Sequence, residues 1–143
     1  MPRAYLSRRY RFSASHRLHT DVLSAEENQR AFGKCNNPHG HGHNYVVEIT
    51  VAGQIDAATG MVCDLGVLDG FANEQVVSRF DHTNLNTLPC FAEQVSTTEN
   101  LNIEVARIFQ SFTAAQVVRV HVEETSNNSF DFIGSLPATP GRP

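Results

Sequence analysis

Strands near both ends of the chain, with two consecutive helices between them, predict an α+β fold: an antiparallel sheet carrying both helices on one face. Three observations carry that reading. Apolar and polar residues alternate over His41 to Ala52 and again over Val118 to Glu124, the period of a half-buried strand. Apolar residues recur at three- and four-residue spacing from Leu65 to Phe80 and from Leu101 to Phe112, the period of a helix. No repeat or linker interrupts the 143 residues, which is the length of one domain able to bury its own core.

The first strand is expected from about Arg8 to His16, with Leu6, Tyr10, Phe12, Ala14 and His16 on one face. A polar loop, Thr20 to Asn37, follows, with Ser24-Ala25-Glu26-Glu27-Asn28 as its candidate helical turn. The second strand is the clearest, His41 to Ala52. Asp56-Ala57-Ala58-Thr59-Gly60 reads as a turn that would fold Met61-Val62-Cys63 back as a short hairpin arm. Leu65, Leu68, Ala72, Val76 and Phe80 mark the first helix, weakened by Gly66 and Gly70. Asp81 to Val95 has no period of its own. Ser96-Thr97-Thr98-Glu99 has the pattern of a capping box opening the second helix. Val118, Val120, Val122 and Glu124 then alternate on a third main strand, Asn127-Asn128 turns, and Phe130 to Ile133 returns as a fourth. Residues 1–135 are read as one domain, and 136–143, rich in proline, as a loose tail.

Chemistry concentrates at Gly33-Lys34-Cys35-Asn36-Asn37-Pro38-His39-Gly40-His41-Gly42-His43-Asn44-Tyr45. His41 and His43 share one strand face, so both imidazoles can reach one metal ion, and Gly42 between them admits another backbone. A histidine cluster in a glycine-rich loop can equally be solvated surface. His16 favours the metal, because it ends the first strand on its apolar face and would sit beside the pair if the two strands run antiparallel. Three imidazoles suit Zn²⁺, with one position left open for water or substrate.

Glu124 falls on the apolar face of its strand, where it either reaches water at the strand end or awaits a donor-rich ligand such as a guanidine-like heterocycle. Asp81-His82 is either a helix cap or a proton relay. Cys35 is either an inert small hydrophobe or, with Lys34 beside it, a thiol acidified for use as base or nucleophile. Three cysteines, odd in number and widely spaced, imply no disulfide framework. With no signal-peptide pattern or membrane span, a cytoplasmic protein is expected. The net charge of −4 speaks against general nucleic-acid binding, but Arg3, Arg8, Arg9, Arg11 and Arg17 all precede the first acidic residue, Asp21. They form either a solvated face or a basic rim for a small anionic substrate.

Phe12-Ser13-Ala14-Ser15-His16-Arg17-Leu18, the Gly33 to Tyr45 stretch, Ala58-Thr59-Gly60-Met61-Val62, Asp81-His82-Thr83-Asn84-Leu85, Ser96-Thr97-Thr98-Glu99-Asn100 and Glu124-Thr125 together resemble the 6-pyruvoyl tetrahydropterin synthase family. The resemblance runs in order from residue 8 to about 133. It implies zinc on His16, His41 and His43, proton transfer by Cys35, Asp81 and His82, a pterin anchored by Glu124, and Thr97, Thr98 and Glu99 lining its pocket. It also implies the tunnelling fold, in which the four-stranded sheets of three subunits close into a barrel and two trimers stack as a hexamer. The spacing from Cys35 to His41 resembles the pyruvoyl-forming type, whereas the 6-carboxy-tetrahydropterin synthases of queuosine biosynthesis have a shorter gap. A further variant uses a glutamate three positions before the cysteine, where this chain has Phe32. His39 departs from the asparagine of close animal relatives and is either a spectator or a fourth ligand.

The activity implied is zinc-dependent conversion of 7,8-dihydroneopterin triphosphate to 6-pyruvoyl-tetrahydropterin with loss of triphosphate, Arg8 and Arg17 being candidates to hold the phosphates. The rivals are the 6-carboxy product on the same scaffold, a closed structural zinc on Cys35 with the three histidines, and a cysteine hydrolase using Cys35 and His82.

Overall fold

The computed structural model describes residues 2–133 and Leu136. β1 (Arg3–His16) pairs antiparallel along its whole length with β2 (His41–Gln54), from Arg3 opposite Gln54 to His16 opposite His41. β1 therefore starts five residues before the expected Arg8, because β2 offers it partners as far as Gln54. β4 (Gln116–Thr125) pairs with the other edge of β2, and β5 (Asn128–Phe132) with β4. The sheet has five strands, not the four expected. The fifth is β3 (Thr83–Asn84), which lies parallel to β1 at Ala14 and Ser15, giving the order β3-β1-β2-β4-β5. The hairpin arm expected at Met61 to Cys63 is absent: the turn closes through Asp56 N–H to the Met61 carbonyl, and the chain then enters a helix at Leu65.

The core lies between one sheet face and the helices. From the sheet come Tyr10, Phe12, Ala14, Tyr45, Val47, Ile49, Val51, Val120 and Val122, all buried as alternation predicts. Val118 is the exception, 41% exposed. A bulge pairs Thr50 with Arg119 and then Val51 with Val117, so the alternation reverses there and Val117 takes the inward place. Bulges depend on the partner strand, and a parity count along one strand does not register them.

The helical segments 65–80 and Thr98–Phe109 cover this face, while a further helix in the β1–β2 loop buries only Asn28. α1 (Ala25–Phe32) sits in the β1–β2 loop behind a true capping box, Ser24 with Glu27. α2 (Leu65–Ala72) runs through a π-helical turn, Asn73–Val77, into α3 (Ser78–Phe80) as one rod. Leu68, Ala72, Val76 and Phe80 are all buried at strict four-residue spacing. Four residues overshoot a 3.6-residue turn, so such a stripe drifts around an α-helix; the wider π turn takes up the drift. α4 (Thr98–Phe109) buries Leu101, Val105, Ala106 and Phe109. Its cap is Thr97, whose hydroxyl accepts from Asn100 N–H, so the expected Ser96/Glu99 box does not form. Apart from Leu136, which packs against the core, the expected loose tail lies outside the described residues.

Candidate active site

The β1–β2 register places His16 directly opposite His41, with His43 opposite Ala14. The three imidazoles meet edge to face, ring centroids 4.7 to 5.1 Å apart, and one nitrogen from each lies within 4.8 Å of the others. His16 is 1% exposed. Its Nδ1 is 2.7 Å from the Ser96 carbonyl, which only accepts, so a neutral His16 carries its proton there and turns the Nε2 lone pair toward His41 Nε2, 3.1 Å away. Burial holds the pKa of His16 and of His43 below the ordinary imidazole value, against the pull of the nearby Glu124 carboxylate. Both rings thus favour the neutral, ligating form. His43 Nε2 is buried without a hydrogen-bond partner, a vacancy worth on the order of 1–3 kcal/mol until something fills it. Among the described residues this is the one group able to hold a metal ion, and neither Cys35 nor His39 belongs to it.

Gly40 rather than Gly42 is the glycine this junction needs. Gly40 has φ +70°, and a Cβ there would meet the His16 carbonyl oxygen at 3.0 Å; at Gly42 the nearest atom would be at an ordinary 3.5 Å. Gly40→Ala should therefore cost about 1–3 kcal/mol, the price of a strained left-handed residue, read as a lower midpoint in chemical denaturation. An unchanged midpoint would show the junction to be slack.

Glu124 lies next to the cluster, Oε1 3.5 Å from His43 Nε2, while the buried Thr98 hydroxyl donates to its Oε2. Thr98 is in the first turn of α4, so one turn of chain connects three parts of the site: Ser96 holds His16, Thr97 caps the helix, and Thr98 holds Glu124. Glu99 points to solvent from the same turn. Tyr45, buried, has its hydroxyl 3.5 Å from His16 Nδ1, and burial together with the Glu124 charge raises its pKa. Its strand parity places it here in the sequence. The Ser96 carbonyl leaves no sequence signal, since any residue has one.

Cys35, half-buried, sits in a single 3-10 turn, Gly33–Asn36, that is tied to the end of β1 by Leu18 N–H to the Cys35 carbonyl, 2.9 Å. The Asn36 amide anchors the same turn to the Leu18 carbonyl. That tie is made two residues beyond His16, which brings the turn to the same end of β1 as the histidines. All three cysteines are free.

Asp81 and His82 do not join this group within one chain. Asp81 Oδ1 accepts from Ser13 N–H and His82 N–H donates to the Ser13 carbonyl, which clamps the pair to the edge of β1 with His82 at φ +55°. Asp81 Oδ2 is 3.0 Å from His82 Nδ1, and these hydrogen bonds, that from Ser13 first, lower the Asp81 pKa. The His82 ring is 85% exposed and lines a shallow depression at the β1 edge with Ser13, Ser15, Gly42 and Asn44, which alternate away from the histidine cluster, and with Ala14 and His43, which do not. Arg8 is also misplaced by the expectation. It pairs with Asp69 on α2 at 2.8 Å and lies eight residues up β1 from His16, about 27 Å along a strand. Arg17, next to His16, stays at the site.

The family model for 6-pyruvoyl tetrahydropterin synthase matches residues 5–134. The human 6-pyruvoyl tetrahydrobiopterin synthase is 50% identical over 127 residues, 87% of this chain and 88% of its own. The Drosophila melanogaster protein of that name is 45% identical, covering 95% of this chain and 83% of its own. The solved structure of Caenorhabditis elegans 6-pyruvoyl tetrahydropterin synthase superposes with a TM-score of 0.90 at 40% identity, over 94% of this chain and 98% of that one.

Proposed function

Since the chain belongs to the 6-pyruvoyl tetrahydropterin synthase family, a family of lyases, we propose that it converts 7,8-dihydroneopterin triphosphate to 6-pyruvoyl-tetrahydropterin with elimination of triphosphate. The observation that carries the reading is the meeting of three inward imidazole nitrogens with Glu124 at one end of one sheet face. The length of the matches to pyruvoyl-type relatives, and the spacing from Cys35 to His41, favour this product over the 6-carboxy one. Mass spectrometry of the product formed from dihydroneopterin triphosphate tests it; a 6-carboxy-tetrahydropterin would overturn it.

His16, His41 and His43 fit zinc, because they offer three converging imidazole nitrogens, one of them buried without a hydrogen-bond partner. Bound there, zinc would supply Lewis acidity toward the side-chain hydroxyls of the substrate and acidify the adjacent C–H. The Cys35 thiolate takes a proton from that carbon side chain and returns it as the acid. Asp81 fixes the proton of His82 on Nδ1, leaving Nε2 free for the second relay. Glu124 receives the two parallel N–H groups of the pterin ring, held in place by Thr98; Thr97 and the solvent-facing Glu99 of the same turn are assigned to the outer pocket wall by the family resemblance.

The position of the dyad gives the assembly its logic. With the exposed His82 ring clamped at the β1 edge and outside the metal-binding group of its own chain, each copy would lend Asp81-His82 to the site of another, as sheets of neighbouring subunits close into a barrel that hides their edges. We read residues 1–135 as the unit that assembles, in a cytoplasmic homohexamer of two trimers; no described helix is long and apolar enough to cross a membrane. Light scattering at micromolar concentration should give the hexamer mass, and a clean monomer would refute it.

Glu124→Gln should weaken pterin binding by about 1.5–3 kcal/mol, the worth of hydrogen bonds to a charged group, with zinc content unchanged. Calorimetric titration with a pterin reads this directly, and undiminished affinity would remove Glu124 from the anchor.

A further inference from the structure

Beside the histidine cluster lies a cleft of about 290 Å³ lined by Ser15, His16, Arg17, His19, Pro38, His39, Gly40, Asn84 and Asn86. No carboxylate is among these residues; every charge they can carry is positive, and the rest offer amide, hydroxyl or backbone groups. Arg17 is built into the cleft rather than draped across it. Its backbone N–H donates to Asn86 Oδ1 at 2.7 Å and its carbonyl accepts from Asn86 Nδ2 at 2.9 Å, so Asn86 grips it as a strand partner would. Its Nε donates to the carbonyl of buried Asn36 at 3.1 Å. With Nε committed, the two terminal nitrogens have no protein partner among the described residues and keep their donors for a ligand. His39 stands exposed on the rim with no partner for its ring among the described residues. His19 Nδ1 accepts from the Asn36 amide at 3.2 Å and its Nε2 faces Asp21 Oδ1 at 3.1 Å, so this ring is already committed to protein partners.

We infer that this cleft is the polyphosphate subsite, with Arg17 as its fixed cation and His39 as its rim contact. The inference rests on the proposed function and specifies where the triphosphate of the substrate lies. His16 belongs to both the cluster and the cleft wall, so a substrate whose hydroxyl-bearing side chain reaches the histidines has its next atoms directed here. A pre-held guanidinium loses little freedom on binding and presents a fork that matches phosphate oxygens. Arg8, paired with Asp69 on a distant part of the strand, has no part in it.

The probe is inorganic tripolyphosphate, titrated against zinc-loaded protein by calorimetry, with dephosphorylated dihydroneopterin as a parallel ligand. Arg17→Gln should weaken tripolyphosphate roughly 10- to 100-fold, as expected for losing one or two hydrogen bonds to a charged group, and leave dihydroneopterin within about twofold. His39→Glu changes an exposed residue, does not threaten folding, and puts a negative charge on the rim; it should weaken tripolyphosphate by roughly tenfold, with the loss shrinking as salt rises. Wild-type affinity for tripolyphosphate in either variant overturns the subsite, as does an equal loss for both ligands in His39→Glu. Failure of the wild type to bind dihydroneopterin at all would instead count against the proposed function, leaving the two failures distinct.

Discussion

Alanine in place of His41 should reduce zinc from about one ion per chain to almost none, and abolish turnover with it. His41 is the cleanest of the three to remove. His16 is 1% exposed and also holds the Ser96 carbonyl, so its loss would disturb the α4 start as well as the cluster. His41 is only half-buried, and among the described residues the one hydrogen-bond contact of its ring is the ring nitrogen of His16. Outer-shell partners of a metal ligand typically cost 10–100-fold in affinity when removed, and loss of a ligand itself should exceed that. Metal analysis of purified protein checks the prediction, alongside circular dichroism to show the fold intact. Full zinc occupancy in His41→Ala would sink the three-histidine site.

Cys35→Ala should cut turnover by roughly 10²–10⁴-fold, the contribution of a positioned acid–base group, and leave both zinc content and pterin affinity as they were. The distinction matters because a closed structural zinc on Cys35 and the three histidines predicts the reverse. The geometry favours the open site: the cluster that can hold an ion comprises histidines alone, and Cys35 sits on a separate turn tied back to β1. Steady-state turnover and metal analysis on one preparation decide the matter. A variant that loses zinc would make the cysteine a ligand and not a base.

Much of the arrangement of this candidate site is legible in the sequence. Alternation on β2 put His41 and His43 on one face, and alternation on β1 put His16 on the face that meets them, because a period of two leaves no intermediate direction. Glu124 was found the same way, as a carboxylate in line with Val120 and Val122. What escaped had no period to read. β3 is two residues long, too short to alternate. The bulge at Val118 depends on how β4 meets β2, and the π turn depends on what the rod must bury. Arg8 shares the parity of the core face, but its role is set by Asp69, 61 positions away. The face on which Asp81-His82 emerges is likewise decided by two hydrogen bonds to Ser13, which no local pattern announces.

The turn Ser96-Thr97-Thr98 touches both halves of the site, through the Ser96 carbonyl on His16 and the Thr98 hydroxyl on Glu124. Ordering one end of so short a segment orders the other. On the proposed function, occupancy of the imidazoles by an ion and of the carboxylate by a pterin would be coupled equilibria sharing a single interaction free energy. The factor by which the ion tightens the ring's hold must equal the factor by which the ring tightens the ion's. Two titrations on the same protein, run in opposite order, have to return one number.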